Sequence, residues 1–313
     1  MSLALLAASF AVLVKSSEVC VRNLAALARY LCLSEFAISF IVVGIASVLP
    51  ELSVATVAAA EGSADMAAAV LFGSNVADFT LILGLVAIYA RGLKVESKVR
   101  HGGKTLLMLL ALPVVLLMIG GGLSKFDGII LIIAYFYYLR KIIGRHDGLK
   151  DAFCNISNNR HDFVKHAIIG VAALAVLFIS AGVASDSAIK IATDVGLPGV
   201  LMGFLIALGT CAPEFTLAVQ AIRKGHSEMG AGDIVGNVAT DATLSLGIVA
   251  LASPVAPAFD AVALSGFAMV AAGALGVHFM QSGRKISLNE GLVLVIAYIA
   301  FIALEFGTQA RIA

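Results

Sequence analysis

Ala46-Ser47-Val48-Leu49-Pro50-Glu51 sets a proline beside a carboxylate inside a predominantly apolar stretch, residues 34–60. The arrangement returns at Gly209-Thr210-Cys211-Ala212-Pro213-Glu214, inside 197–223. Each copy is followed by a second carboxylate, Asp78 or Asp241, at the same interval of 27 residues (78 − 51 and 241 − 214), with Gly73 and Gly236 at matching places between. Both carboxylates keep an offset of 163 residues between copies (214 − 51 and 241 − 78), a register that unrelated helices would not share. A charged side chain at the bilayer centre costs about 2.5–3.5 kcal/mol, so four unpaired ones would cost roughly 10–14 kcal/mol. The pattern reads as a duplicated ion site.

Composition places the site in a membrane. Of 313 residues, 60% are hydrophobic and 13% charged, with a mean hydropathy of +1.02, well outside the range of a soluble domain. A spanning helix needs about 20 apolar residues. Ten stretches qualify: 3–27, 34–60, 64–90, 102–121, 124–143, 162–184, 197–223, 228–252, 257–279 and 287–307. The expected fold is therefore an all-α membrane protein of ten transmembrane helices. Its halves, 1–143 and 162–313, are joined by a polar linker at 144–161. Five spans is an odd number, so equivalent helices cross in opposite directions and the halves form inverted five-helix repeats. Basic residues crowd loops 91–104 and 140–165, Arg223-Lys224 and Arg284-Lys285, while Lys125, Lys190 and Arg311 stand nearly alone on the other side. The positive-inside rule puts both termini outside and the 144–161 loop in the cytoplasm, with the cell membrane as the expected location.

Proline removes an N–H and clashes with the carbonyl four residues back. Pro50 frees the carbonyl of Ala46, and Pro213 that of Gly209. Such carbonyls at midplane depth are tolerated where they line a cavity or hold an ion. With Glu51 and Glu214 they supply hard oxygens suited to Ca²⁺, which takes 6–8 of them. Ser47, Thr210, Ser74 and Asn237 are near enough in sequence to complete the shell, and Cys211 and Ser47 are equally readable as small packing residues. Glu51, Glu214 and Asp241 are the expected ligands of the divalent ion, with Asp78 a further cation-binding carboxylate. Gly73 and Gly236 read as points of close backbone approach, and His278 as a packed neutral imidazole.

These cassettes, with Leu13-Val14-Lys15 through Leu27-Ala28-Arg29, Gly73-Ser74-Asn75 and Asp78 in the first half and Gly236 and Asp241 in the second, resemble the two α-repeats of the sodium/calcium exchanger family, within the calcium/cation antiporter superfamily. The resemblance implies alternating-access exchange of Ca²⁺ for Na⁺, with Glu51 and Glu214 as central ligands of both ions and the first and sixth helices as sliding gates. The sequence also departs from the family. Val48 and Cys211 replace a serine, and Asn237-Val238 stands where Ser-Asn is usual. Asp78 occupies a position that is often Asn, and an Asp there is similar to a potassium-dependent branch. Four carboxylates around one divalent ion leave about two negative charges, so exchange for H⁺ is the alternative, and a K⁺-dependent variant is a third.

Other classes find little support. Gly230-Ala231-Gly232-Asp233 fits GxGD of intramembrane aspartyl proteases, but the chain has no Tyr-Asp to supply the second aspartate. A channel would place its rings around an oligomeric axis, whereas two copies in one chain suit a carrier that functions as a monomer. There is no nucleotide loop of the GxxxxGK[ST] type, no nucleic-acid patch and no metal-spaced cysteine among Cys20, Cys32, Cys154 and Cys211. The expectation is an ion-gradient-driven transporter without enzymatic activity or cofactor, whose partners are the lipid bilayer and its transported cations.

Overall fold

A computed structural model describes residues 2–30, 39–60, 62, 64–95, 97–144, 160–194, 212–256, 259–283 and 285–312. The linker expected at 144–161 lies almost wholly outside the described residues. In chain order the elements are α1 (Ser2–Tyr30), π1 (Ser39–Val43), α2 (Gly44–Ser47), α3 (Leu49–Ala60), α4 (Ala64–Ala77), π2 (Asp78–Ile82), α5 (Leu83–Tyr89), β1 (Leu93–Lys94), α6 (Ser97–Gly120) and α7 (Lys125–Gly144). After the linker come α8 (Arg160–Asp194), α9 (Ala212–Arg223), α10 (Ser227–Ala239), π3 (Thr240–Ser245), α11 (Leu246–Ala252), α12 (Phe259–Ser282), β2 (Lys285–Ile286) and α13 (Leu288–Ile312).

Among the described residues, six helical runs are long and apolar enough to span a membrane: Ala4–Leu27, Ala67–Tyr89, Gly102–Gly120, Met229–Ala252, Val262–Ser282 and Leu288–Glu305. Large apolar side chains such as Met108, Ile119, Phe126, Ile133, Ile179 and Ile296 point outward. Their other faces pack inward, as lipid-facing helices require.

The chain divides into two compact units that cut across the sequence halves, each drawing helices from both. One comprises residues 1–47 and 146–233, the other 48–145 and 234–313. In the first unit α1 lies along α8, with Cys20, Val21, Leu24, Leu174, Leu177, Leu217 and Met229 forming its apolar core. His166 on α8 shares a 2.8 Å hydrogen bond with Asn23 on α1.

The second unit repeats its contacts at the 163-residue offset. Gly84 meets Gly291, where an added Cβ would sit 2.8 Å from the opposing carbonyl oxygen, and Gly128 meets Gly247 at 2.8 Å. Gly247 stands 163 residues after Gly84, and Gly291 as far after Gly128. Missing side chains let α5 approach α13 and α11 approach α7 backbone to backbone. The antiparallel pair Leu93↔Ile286 is matched by the bridge Leu123↔Val255. Tyr135 and Tyr298, again 163 apart, are both buried.

Two expectations are corrected here. Among the described residues a Cβ at Gly73 would meet nothing within 4 Å, so this glycine marks open space there rather than close approach. His278 faces outward instead of packing inside, on a helix whose inner face is taken by Val277 and Met280.

Candidate functional site

Both glutamates occupy the same local position. Glu51 is in the first turn of α3 and Glu214 in the first turn of α9, each directly after its proline in a helix of 12 residues. Proline suits a first turn because its missing N–H is unpaired there anyway. The helical path before Pro50 breaks at Val48, between α2 and α3, and the Ala46 carbonyl has no donor from residue 50. The interruption expected from sequence is present in this copy, while Gly209, Thr210 and Cys211 lie outside the described residues.

The second unit brings together Glu51, Ser74, Asp78, Asn237 and Asp241. Ser74 Oγ donates to Asp241 Oδ2 at 2.7 Å, and Asn237 Nδ2 donates to Asp78 Oδ2 at 2.5 Å. These bonds correspond by the 163-residue offset, each carboxylate taking its donor from the other half of the sequence. Asp241 is 0% exposed and Asp78 2%. Oδ1 of Asp241 and Oε2 of Glu51 are buried without a hydrogen-bond partner among the described residues, and the two acids are close enough for their charges to repel. Ser245 lies near Asp241 without completing a hydrogen bond to it.

The first unit holds the remaining described candidates. Glu214 is 1% exposed, and Ser47, also buried, directs Oγ to the Gly44 carbonyl at 3.5 Å. Ala46 lies on α2 beside it.

Both aspartates lie at the start of a π-helical segment, Asp78 as the first residue of π2 and Asp241 as the second of π3, a feature that periodicity did not reveal. Leu83 N–H donates to the Asp78 carbonyl and Leu246 N–H to that of Asp241, each five residues back. The wider turn shifts the register of the side chains that follow, and such single turns recur at functional sites. Thr80 and Thr243, at matching positions, donate to the carbonyls of Val76 and Ala239. Thr240 adds a 2.7 Å bond to the Gly236 carbonyl and faces the buried Tyr135 hydroxyl at 3.5 Å. Tyr135 was not singled out from sequence; its equivalence to Tyr298 was the available signal.

The model of the sodium/calcium exchanger protein family matches residues 1–143 and 165–307. The chain belongs to this family. Members are ion exchangers rather than catalysts, and with the apolar helices above the family makes this an integral, multi-pass membrane protein. The chain is 25% identical to the sodium/calcium exchanger MaX1 of Methanosarcina acetivorans, with 94% of this chain and 95% of the relative covered. It is 27% identical to inner membrane protein YrbG of Escherichia coli, with 80% of each covered. A solved structure of the sodium-calcium exchanger NCX_Mj, soaked with 10 mM Na⁺ and 10 mM Sr²⁺, superposes with a TM-score of 0.81 at 23% identity, covering 96% of this chain and 97% of that one.

Proposed function

We propose that this exchanger-family chain is a secondary-active antiporter that exchanges Ca²⁺, or a similar divalent cation, for Na⁺ by alternating access. The observation that carries the reading is the crossed pair of carboxylate bonds, Ser74 to Asp241 and Asn237 to Asp78, beside the unsatisfied oxygen of Glu51. Buried carboxylate oxygens without donors are costly unless a cation completes them. Glu51, Glu214 and Asp241 are the proposed divalent ligands, with Ala46, Ser47, Ser74, Asp78, Gly209, Thr210, Cys211 and Asn237 as further cation-binding positions. The exchanger name of MaX1 supports the same activity. The recurring 163-residue contacts support ten spans in two inverted repeats, 1–143 and 162–313, and the crowding of basic residues in alternate loops supports outside termini, a cytoplasmic 144–161 loop and residence in the cell membrane. The proposed working unit is a monomer that needs no cofactor.

Exchange for H⁺ is a second reading. Val48 removes a hydroxyl from the first cassette, and Asn237 commits its amide to Asp78, so neutral oxygens for Na⁺ are fewer while carboxylates are many. A K⁺-dependent form is compatible with Asp78.

Flux in proteoliposomes tests the assignment. Glu51→Gln and Glu214→Gln should each abolish divalent exchange in folded protein, since one charge fewer fails to offset dehydration of a divalent ion. Near wild-type flux in either variant, at matched protein, refutes the site.

A further inference from the structure

Asp233 takes no part in the chemistry above. It ends the Gly230-Ala231-Gly232-Asp233 motif, and the position 163 residues earlier is Val70, so the other half of the sequence has no equivalent carboxylate. Its side chain is 1% exposed, and neither carboxyl oxygen has a hydrogen-bond partner among the described residues. It borders a cavity of about 10 Å³ inside the first unit, room for a single water molecule. Ser39, at the start of π1, lines the same cavity, and its buried Oγ also lacks a partner among the described residues.

The surroundings decide what the cavity takes. On α1 the titratable group near Asp233 is the buried Cys20 thiol, with Val21 and Leu24 forming the lining. From α9 come Leu217 and Ala221, and from α10 itself Met229 and Gly230. Among the described residues of these elements no basic side chain lines the cavity beside the carboxyl. An ionised carboxylate here would have neither countercharge nor donor, the most costly arrangement a buried acid can adopt. Na⁺ fits poorly, because Asp233 and Ser39 offer three side-chain oxygens and the rest of the lining side chains offer carbon or sulfur. A proton removes the charge and turns the acid into a donor. One water can then accept from Asp233 and exchange a hydrogen bond with Ser39.

We propose that Asp233 is a proton-binding site separate from the paired cassettes, in which the carboxyl holds its proton against one water shared with Ser39.

Infrared difference spectroscopy of the reconstituted full chain tests this, in choline buffer free of Na⁺ and Ca²⁺ at neutral pH. Wild type minus Asp233→Asn should show the carbonyl stretch of a protonated carboxyl, unchanged when Na⁺ is added. Ser39→Ala should shift that stretch, because the water loses its second partner. A carboxylate stretch in its place overturns the proposal, as does a carboxyl band that disappears on adding Na⁺. If Asp233→Asn fails to fold, the Ser39→Ala spectrum still decides, and a band that does not move refutes the shared water. Because an amide is as neutral as the protonated acid, Asp233→Asn should keep divalent flux within about twofold of wild type. A tenfold loss would instead make Asp233 an ionised cargo ligand and overturn the proposal.

Discussion

Ser74→Ala removes the hydroxyl that donates to Asp241 at 2.7 Å, from a carboxylate that is fully buried and has no partner on its other oxygen among the described residues. A hydrogen bond to a charged group contributes about 1.5–3 kcal/mol, and the abandoned acceptor keeps its desolvation cost. If a cation sits against Asp241, its charge replaces what the hydroxyl supplied. Ion-free mutant should therefore lose about 1.5–3 kcal/mol, and Ca²⁺-saturated mutant considerably less. Linkage turns that difference into affinity: each 1.4 kcal/mol of gap closed corresponds to about tenfold tighter divalent binding by the mutant, measured net of whatever the lost Ser74 oxygen gives the ion directly. The chain contains no tryptophan, so intact protein remaining after heating is best followed by size-exclusion chromatography in detergent, with and without Ca²⁺. The mutant should melt below wild type without Ca²⁺, and the gap should narrow as Ca²⁺ is added. A gap of equal size in both conditions would refute the placement of Asp241 against the ion.

Further outcomes follow from other residues. Val48→Ser combined with Asn237→Ser should strengthen the Na⁺ dependence of exchange while leaving divalent affinity nearly unchanged, because Na⁺ relies on neutral oxygens; flux at graded Na⁺ checks it, and a flat response would assign the Na⁺ ligands to backbone carbonyls. Gly84→Val and Gly247→Val should destabilise by similar amounts, about 1–3 kcal/mol each, since both drive a side chain into an opposing backbone; thermal midpoints that differ widely would break the equivalence of the two contacts. Gly73→Ala, facing open space, should fold as wild type does, and loss of the monodisperse chromatographic peak would contradict that placement.

Much of the site was legible because the chemistry repeats along the chain. Pro50 announced a broken helix, and α2 and α3 do separate at Val48. The 163-residue offset anticipated matching roles for Asp78 and Asp241, which the crossed bonds to Asn237 and Ser74 express. The donor of each carboxylate was not legible, because the register between two helices depends on packing that neither helix encodes alone. The π-segments were hidden for a related reason: one extra residue in a turn leaves hydrophobic periodicity nearly intact. Gly73 misled because small size serves equally well for close approach and for leaving space, and only the neighbours distinguish the two. Asp233 escaped because its motif pointed toward a second aspartate rather than toward Ser39 and an apolar lining.

The central claim is divalent exchange driven by a monovalent gradient, and the direct measurement is uptake of radiolabelled Ca²⁺ into proteoliposomes with Na⁺, K⁺ and pH gradients imposed one at a time. The account predicts uptake driven by an outward Na⁺ gradient, abolished by Glu51→Gln and by Glu214→Gln. Uptake driven by pH alone would put H⁺ in place of Na⁺, and Ca²⁺ movement that follows no imposed gradient would contradict exchange itself.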